Sequence, residues 1–246
     1  MVRFHLKKAF FDGWDHILPL LAVNLVYLII PGLAVLVFVG GEPVNSPAGI
    51  ATMLTALFFS VLYFTGMAGL AFQWSKYNRT WVKDFFEAIK ARFFHALLLF
   101  VLLAIMLTIL LYVPYILSLG NRLYIALGLL VFWVVFFSAM ALQYYLPLAM
   151  YMKADKPFKT LKKCYIVLAD NMGFSAWLFL RTLFDLAMTV FTAFLIPGFC
   201  GIILSHTDGL RLILIRYNYM ETHPGLPRRD LPMKQVFEAE AAELGR

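Results

Sequence analysis

The sequence predicts an all-α, polytopic membrane helical bundle of six transmembrane helices, with cytoplasmic amphipathic elbow helices between pairs of spans. Three observations predict it. Of the 246 residues, 62% are apolar and only 14% charged. The apolar residues come in runs of about 20, the length that crosses about 30 Å of hydrocarbon. The basic residues gather between alternate runs. Helices follow because an open sheet edge leaves backbone groups unsatisfied in lipid.

Taken in order, Met1 to His16 alternates basic and aromatic positions, with Arg3, Lys7 and Lys8 against Phe4, Phe10, Phe11 and Trp14, as suits a helix lying in the bilayer interface. It lacks the apolar core and small-residue cleavage site of a signal peptide, so it is expected to stay in the mature chain. The first span, about 17–40, is apolar apart from Asn24, and Pro31-Gly32 past its middle predicts a kink. The second, about 49–73, carries Gly66, Ala68, Gly69 and Ala71, a small-residue face that would let a neighbouring helix or partner come close. From Trp74 to Phe94 the chain turns basic, and Trp81, Phe85, Ile89 and Phe93 recur every four residues as one apolar face.

The third and fourth spans, about 95–118 and 123–151, are separated only by Leu119 to Arg122, which predicts a tight antiparallel hairpin. Lys153 to Met172 repeats the interfacial pattern. Phe158, Leu161, Tyr165 and Leu168 share one face there, with Lys159, Lys162 and Lys163 turned to phosphate headgroups. The fifth and sixth spans, about 173–195 and 198–219, turn near Ile196-Pro197-Gly198. Residues 1–220 thus read as one membrane domain, and 221–246 as a cytoplasmic tail with a short acidic helix over Met233 to Leu244.

Three Lys and Arg precede the first span, five lie in each long connection and four in the tail, whereas the opposite connections hold only Arg122. By the positive-inside rule both termini and both long connections are cytoplasmic, in a cell inner membrane. Lys7, Lys8, Lys83, Lys90, Arg92, Lys159, Lys162 and Lys163 form the membrane-surface basic set. Their expected partner is anionic lipid rather than nucleic acid, because they sit within a turn of apolar spans.

Two readings of the interfacial segments stay open. Leu6-Lys7-Lys8 and Asp15-His16 match Leu161-Lys162-Lys163 and Asp170-Asn171 at one constant offset, as a threefold repeat of helical hairpins would require. The plainer reading is that any cytoplasmic elbow selects lysine and aromatics.

Asn24 ahead of Pro31-Gly32, the block Trp81-Val-Lys-Asp-Phe85-Phe-Glu-Ala-Ile-Lys, and Tyr145-Leu-Pro147-Leu before a lysine-rich segment together resemble the YesL-like family of bacterial integral membrane proteins. The likeness runs over most of residues 17–220. It implies a small bacterial membrane protein associated with carbohydrate uptake and breakdown, and it brings no catalytic residues with it.

The candidate site is the set of ionisable residues at membrane depth: Arg181, Asp185, His206, Asp208 and Arg211. A rise of 1.5 Å per residue puts Arg181 about 12 Å and Asp185 about 18 Å from Gly173, and His206 about 12 Å from an outer face at Pro197 to Phe199. As a functional cluster, Asp185 and His206 would exchange a proton while Arg181 held an anionic or hydroxyl-rich ligand. As a structural one, Arg181 pairs with Asp185, Asp208 with Arg211, and the charges pin two helices. Ser205 to Gly209 reads either as a helix break lining a cavity or as a loop before a later span.

Zinc-helix, nucleophile-elbow and phosphate-loop signatures are absent from the sequence, so no catalytic residues, metal or cofactor are expected. Cys164 and Cys200 fall on opposite sides of the predicted topology, so no disulfide is expected either. Two functions remain: a non-enzymatic accessory or assembly partner of a membrane transport system, or a small solute transporter using the buried Arg/Asp/His cluster.

Overall fold

The computed structural model describes residues 1–30, 46–80, 82–118, 122–192 and 196–222. The kink at Pro31-Gly32, Trp81, most of the third-to-fourth turn and the tail helix lie outside the described residues. Within them the chain is all-helical: α1 (Val2–Asp15), α2 (Ile17–Tyr27), α3 (Pro47–Trp74), α4 (Val82–Ala91), α5 (Phe93–Ser118), α6 (Arg122–Leu142), α7 (Tyr145–Tyr151), α8 (Pro157–Asp170), α9 (Met172–Phe191) and α10 (Gly198–Thr222). Five stretches have the length and apolarity to cross a membrane: Pro47–Trp74, Phe93–Pro114, Leu123–Tyr151, Met172–Phe191 and Gly198–Thr222. The apolar helix Ile17–Tyr27 is shorter.

Helix boundaries follow from local chemistry. Ser46 caps α3 by accepting a hydrogen bond from Gly49 N at 3.0 Å, and Pro47 occupies the first turn, where its missing N–H costs nothing. Three short helices are each joined to the next helix through a single residue, at His16, Arg92 and Asn171. Two of these breaks are built alike. His16 Nδ1 donates to Asp12 O at 2.9 Å, and Asn171 Nδ2 donates to Val167 O at 3.2 Å, so each side chain bonds the carbonyl one turn back along the helix it ends.

α10 is the axis of the bundle. In its most apolar window 72% of residues are buried, against 17–22% in the other four long helices, whose outward faces are apolar. Two apolar cores meet around it and α3. One gathers Val61, Ala68, Tyr144, Tyr145, Leu178 and Leu210, the other Leu20, Met67, Trp74, Cys200 and Leu204.

The small-residue face of α3 is taken by a neighbouring helix of the same chain, as one of the two expectations for it has it, and at Gly66 and Gly69 is not left for a partner. A Cβ on Gly66 would lie 2.4 Å from the Phe85 ring and one on Gly69 2.3 Å from Ala88 Cβ, so α4 can pack here only against glycine. The buried face of α8 shares only Leu168 with the apolar face expected to meet the bilayer interface. Thr160, Cys164, Val167 and Leu168 point inward, while Phe158 and Tyr165 face out.

Side-chain contacts fix the register. His16 stacks on Trp74 at 5.1 Å, and farther along Tyr63 OH donates to Val23 O at 2.9 Å, so α2 and α3 run antiparallel. Asn24, about 12 Å along α2 from His16, holds the start of α10: its Nδ2 donates to Pro197 O at 3.1 Å and its Oδ1 accepts from Cys200 N at 3.0 Å. α3 continues for about another 24 Å beyond Tyr63 to Pro47. The turn into α10 therefore lies beside the middle of α3.

Ser205 to Gly209 is neither a break nor a loop, because α10 runs through it unbroken. Thr207 donates to Ile203 O at 2.8 Å, Ser205 is engaged by His5, and Gly209 lets Leu178 pack close.

Gly198 has φ +63, and a Cβ there would lie 2.0 Å from Asn24 Nδ2. Gly198→Ala is expected to lower stability by about 2 kcal/mol or more, through left-handed strain and displacement of the Asn24 cap. Asn24→Ala should cost about 1–2 kcal/mol, and the double variant less than the sum, because the clash disappears with the amide. Thermal unfolding of the purified proteins in one detergent measures all three.

Candidate functional site

The buried charges fall into two groups rather than one cluster. The first lies where α1, the end of α3 and α10 meet. Lys8 Nζ is 2.6 Å from Asp12 Oδ2 and 3.5 Å from Asp208 Oδ1, and donates to Ser75 O at 3.4 Å and Tyr77 OH at 3.3 Å. Asp12 and Asp208 are 1% and 0% exposed, and their carboxylates converge on the same lysine ammonium. Arg211 is within Coulombic reach of Asp208, and its guanidinium carbon lies 5.9 Å from the Tyr77 ring centroid. Two carboxylates and two cations thus balance in a space nearly closed to water. Burial pulls the Lys8 pKa down, but Asp208 and then Asp12 outweigh it, and the pKa is raised above the ordinary lysine value.

Tyr77 shapes this site at a backbone cost. It has φ 59, a left-handed conformation that costs a residue with a Cβ about 1–2 kcal/mol. Tyr77 N donates to Trp74 O at 2.8 Å and Asn78 N to Gln73 O at 3.0 Å, which is the helix-ending pattern that glycine usually completes. The tyrosine ring is what glycine could not supply. Lys8 Nζ sits 4.6 Å from its centroid, and the Arg211 guanidinium approaches the same ring.

The second group is on α9 and the adjoining turn of α10. Arg181 Nε donates to Asp185 Oδ2 at 3.3 Å, one turn along the same helix, as the structural reading expects. His206 does not turn to Asp185, which corrects the proton-exchange pair; its Nε2 lies 2.7 Å from Thr182 Oγ1. His5 from α1 stands between the groups, fully buried, with Nε2 donating to Ser205 O at 3.0 Å and its ring edge-on to Phe174.

Sequence reasoning placed Arg181, Asp185, His206, Asp208 and Arg211 but missed Asp12, His5 and Tyr77. Asp12 was legible as a carboxylate one turn after Lys8. The partnership with Asp208 was not, since 196 positions separate them. The membrane-surface basic set needs correction at two places. Lys8 is drawn into the ion network, and Arg92 is buried, with Nη1 donating to Lys153 O at 2.9 Å. Lys7, Lys83, Lys90, Lys159 and Lys162 are exposed. Lys159 reaches Asp155 Oδ1 at 2.8 Å, and Lys163 is half-buried and paired with the same carboxylate. Among the described residues no three His, Cys, Asp or Glu side chains converge as a metal site requires.

Comparison with protein-family models, with curated proteins and with solved structures finds no match. The YesL-like resemblance accordingly stands on its sequence segments.

Two outcomes test this geometry. Lys8→Met leaves two buried carboxyls facing each other without their cation and should cost about 3–5 kcal/mol in detergent unfolding, part of which Lys8→Met with Asp208→Asn restores. Burial, opposed by the Ser205 hydrogen bond and reinforced by Arg181, lowers the His5 pKa to about 4. Between that value and the ordinary 6.5 the unfolded chain binds the extra proton, so stability rises with pH across this window and is lost as pH falls through it. The loss approaches about 3 kcal/mol. Comparing unfolding at pH 7 and pH 4.5, His5→Gln should make the difference measurably smaller.

Proposed function

We propose that this chain is a multi-pass protein of a bacterial inner membrane that works as a non-enzymatic accessory or assembly partner of a membrane transport system. The observation that carries the reading is the Lys8 network. Charges that a carrier would keep for its solute are spent here on holding α1 and the Tyr77 turn to the central helix. A scaffold presented to a partner gains from such pinning, whereas an alternating carrier must break it in each cycle.

The orientation with both termini and the basic connections cytoplasmic rests on the Lys and Arg distribution. The exposed Lys7, Lys83, Lys90 and Lys162 suit anionic headgroups on that side. The three units of short helix, one-residue break and following helix support cytoplasmic elbows. α1 and α8 even share their length of 14 residues and their constant offset, in favour of the repeat reading. Carbohydrate uptake as the process served comes from the YesL-like resemblance.

One observation favours the carrier reading. Arg181 Nη1 is buried without a hydrogen-bond partner beside Asp185, and could hold an anionic or hydroxyl-rich solute.

Extraction of the tagged full chain in a mild detergent tests the proposal. A permease or ATPase subunit recovered in stoichiometric amount is expected. Recovery of the chain alone, with solute uptake abolished by Arg181→Met and Asp185→Asn, would overturn the accessory reading in favour of the carrier.

A further inference from the structure

Between the α5–α6 pair and the α9–α10 pair lies a cavity of about 250 Å3. Leu103, Leu146 and Phe179 contribute to an apolar wall that Gln143, Thr182 and His206 interrupt, and no charged side chain lines it. An apolar pocket with a few convergent polar groups is the usual form of a small-molecule site, and this volume lies just under the ordinary range of about 300–1,000 Å3.

The hydrogen bonds define what the polar groups still offer. Thr182 Oγ1 donates to Leu178 O at 2.9 Å, so at its 2.7 Å contact with His206 Nε2 it accepts. The proton therefore sits on Nε2, and in the neutral ring Nδ1 is an acceptor. Gln143, at 7% exposure, donates from Nε2 to Ser175 O at 3.2 Å, which fixes the amide orientation. Its Oε1 is buried without a hydrogen-bond partner. A buried carbonyl left unpaired is costly and calls for a donor.

We infer that the cavity binds the hydroxyl end of a membrane-soluble alcohol, with the hydroxyl donating to Gln143 Oε1 and the alkyl chain on Leu103, Leu146 and Phe179. An ammonium or carboxylate head would enter without a countercharge in the wall and is rejected by desolvation. The size admits a short alcohol or the end of a longer one. This site stands whether or not the chain partners a transporter.

The test is photolabelling of the purified full chain in detergent with a diazirine-bearing octanol, followed by mass-spectrometric mapping of the adducts. Adducts should concentrate on Leu103, Leu146 and Phe179 and be competed by 1-octanol. A size-matched methyl ether, which has no donor, should compete about five- to tenfold less well. Gln143→Leu should bring the alcohol down to the ether's level. Should that variant fail to fold, Ala139→Phe fills the cavity without touching these hydrogen bonds, and it should abolish the adducts. Equal competition by alcohol and ether, labelling spread evenly over outward residues such as Leu130 and Phe184, or undiminished labelling of Ala139→Phe overturns the assignment.

Discussion

A carboxylate on the most buried helix of an apolar bundle must be met by a cation, and the pairing of Asp208 with Lys8 meets that demand. The rest of the packing depends on how the cation arrives. α1 has to fold back against α10, which also brings His5 onto Ser205 and Met1 Sδ to 3.7 Å from Arg216 Nη1. The turn after α3 has to accept Tyr77 in a left-handed conformation, so that one ring can serve Lys8 and Arg211 together. The backbone strain there is offset by contacts that a glycine could not make.

The same economy governs the other close approaches. Gly66 and Gly69 let α4 lie directly on α3, and Gly198 lets the Asn24 amide cap α10. The Asn24 contact ties residues far apart in sequence, so α2 and α10 are interlocked rather than set side by side. α10 consequently begins beside the middle of α3 and extends beyond its end to the Tyr77 turn.

The polar interior divides into parts of different character. The Lys8 network sets two carboxylates against a shared ammonium within the chain. The Gln143, Thr182 and His206 wall lines a cavity and retains one unused acceptor, Gln143 Oε1. A pinned ionic layer and an adjoining small apolar cavity thus lie side by side in one helical bundle.

The helical class and the approximate extents of the long apolar helices were legible in the sequence, because lipid leaves few ways to satisfy a backbone and run length follows bilayer thickness. So was the Arg181–Asp185 pair, since residues four apart share a helix face whatever surrounds them. The alternation of lysine and aromatics in α1 was equally visible, but it could not reveal that Lys8 turns inward while Lys7 stays out. That choice depends on Asp208, which only folding brings near. Likewise the reckoning along the helices matched His206 with Asp185, and helix rotation turned it to Thr182 instead. The sequence by itself determined the elements and their apolarity, which are properties of local chain and solvent. The tertiary structure alone decided which buried charge meets which, because each ion pair and each unused acceptor depends on the register between helices that are remote along the chain.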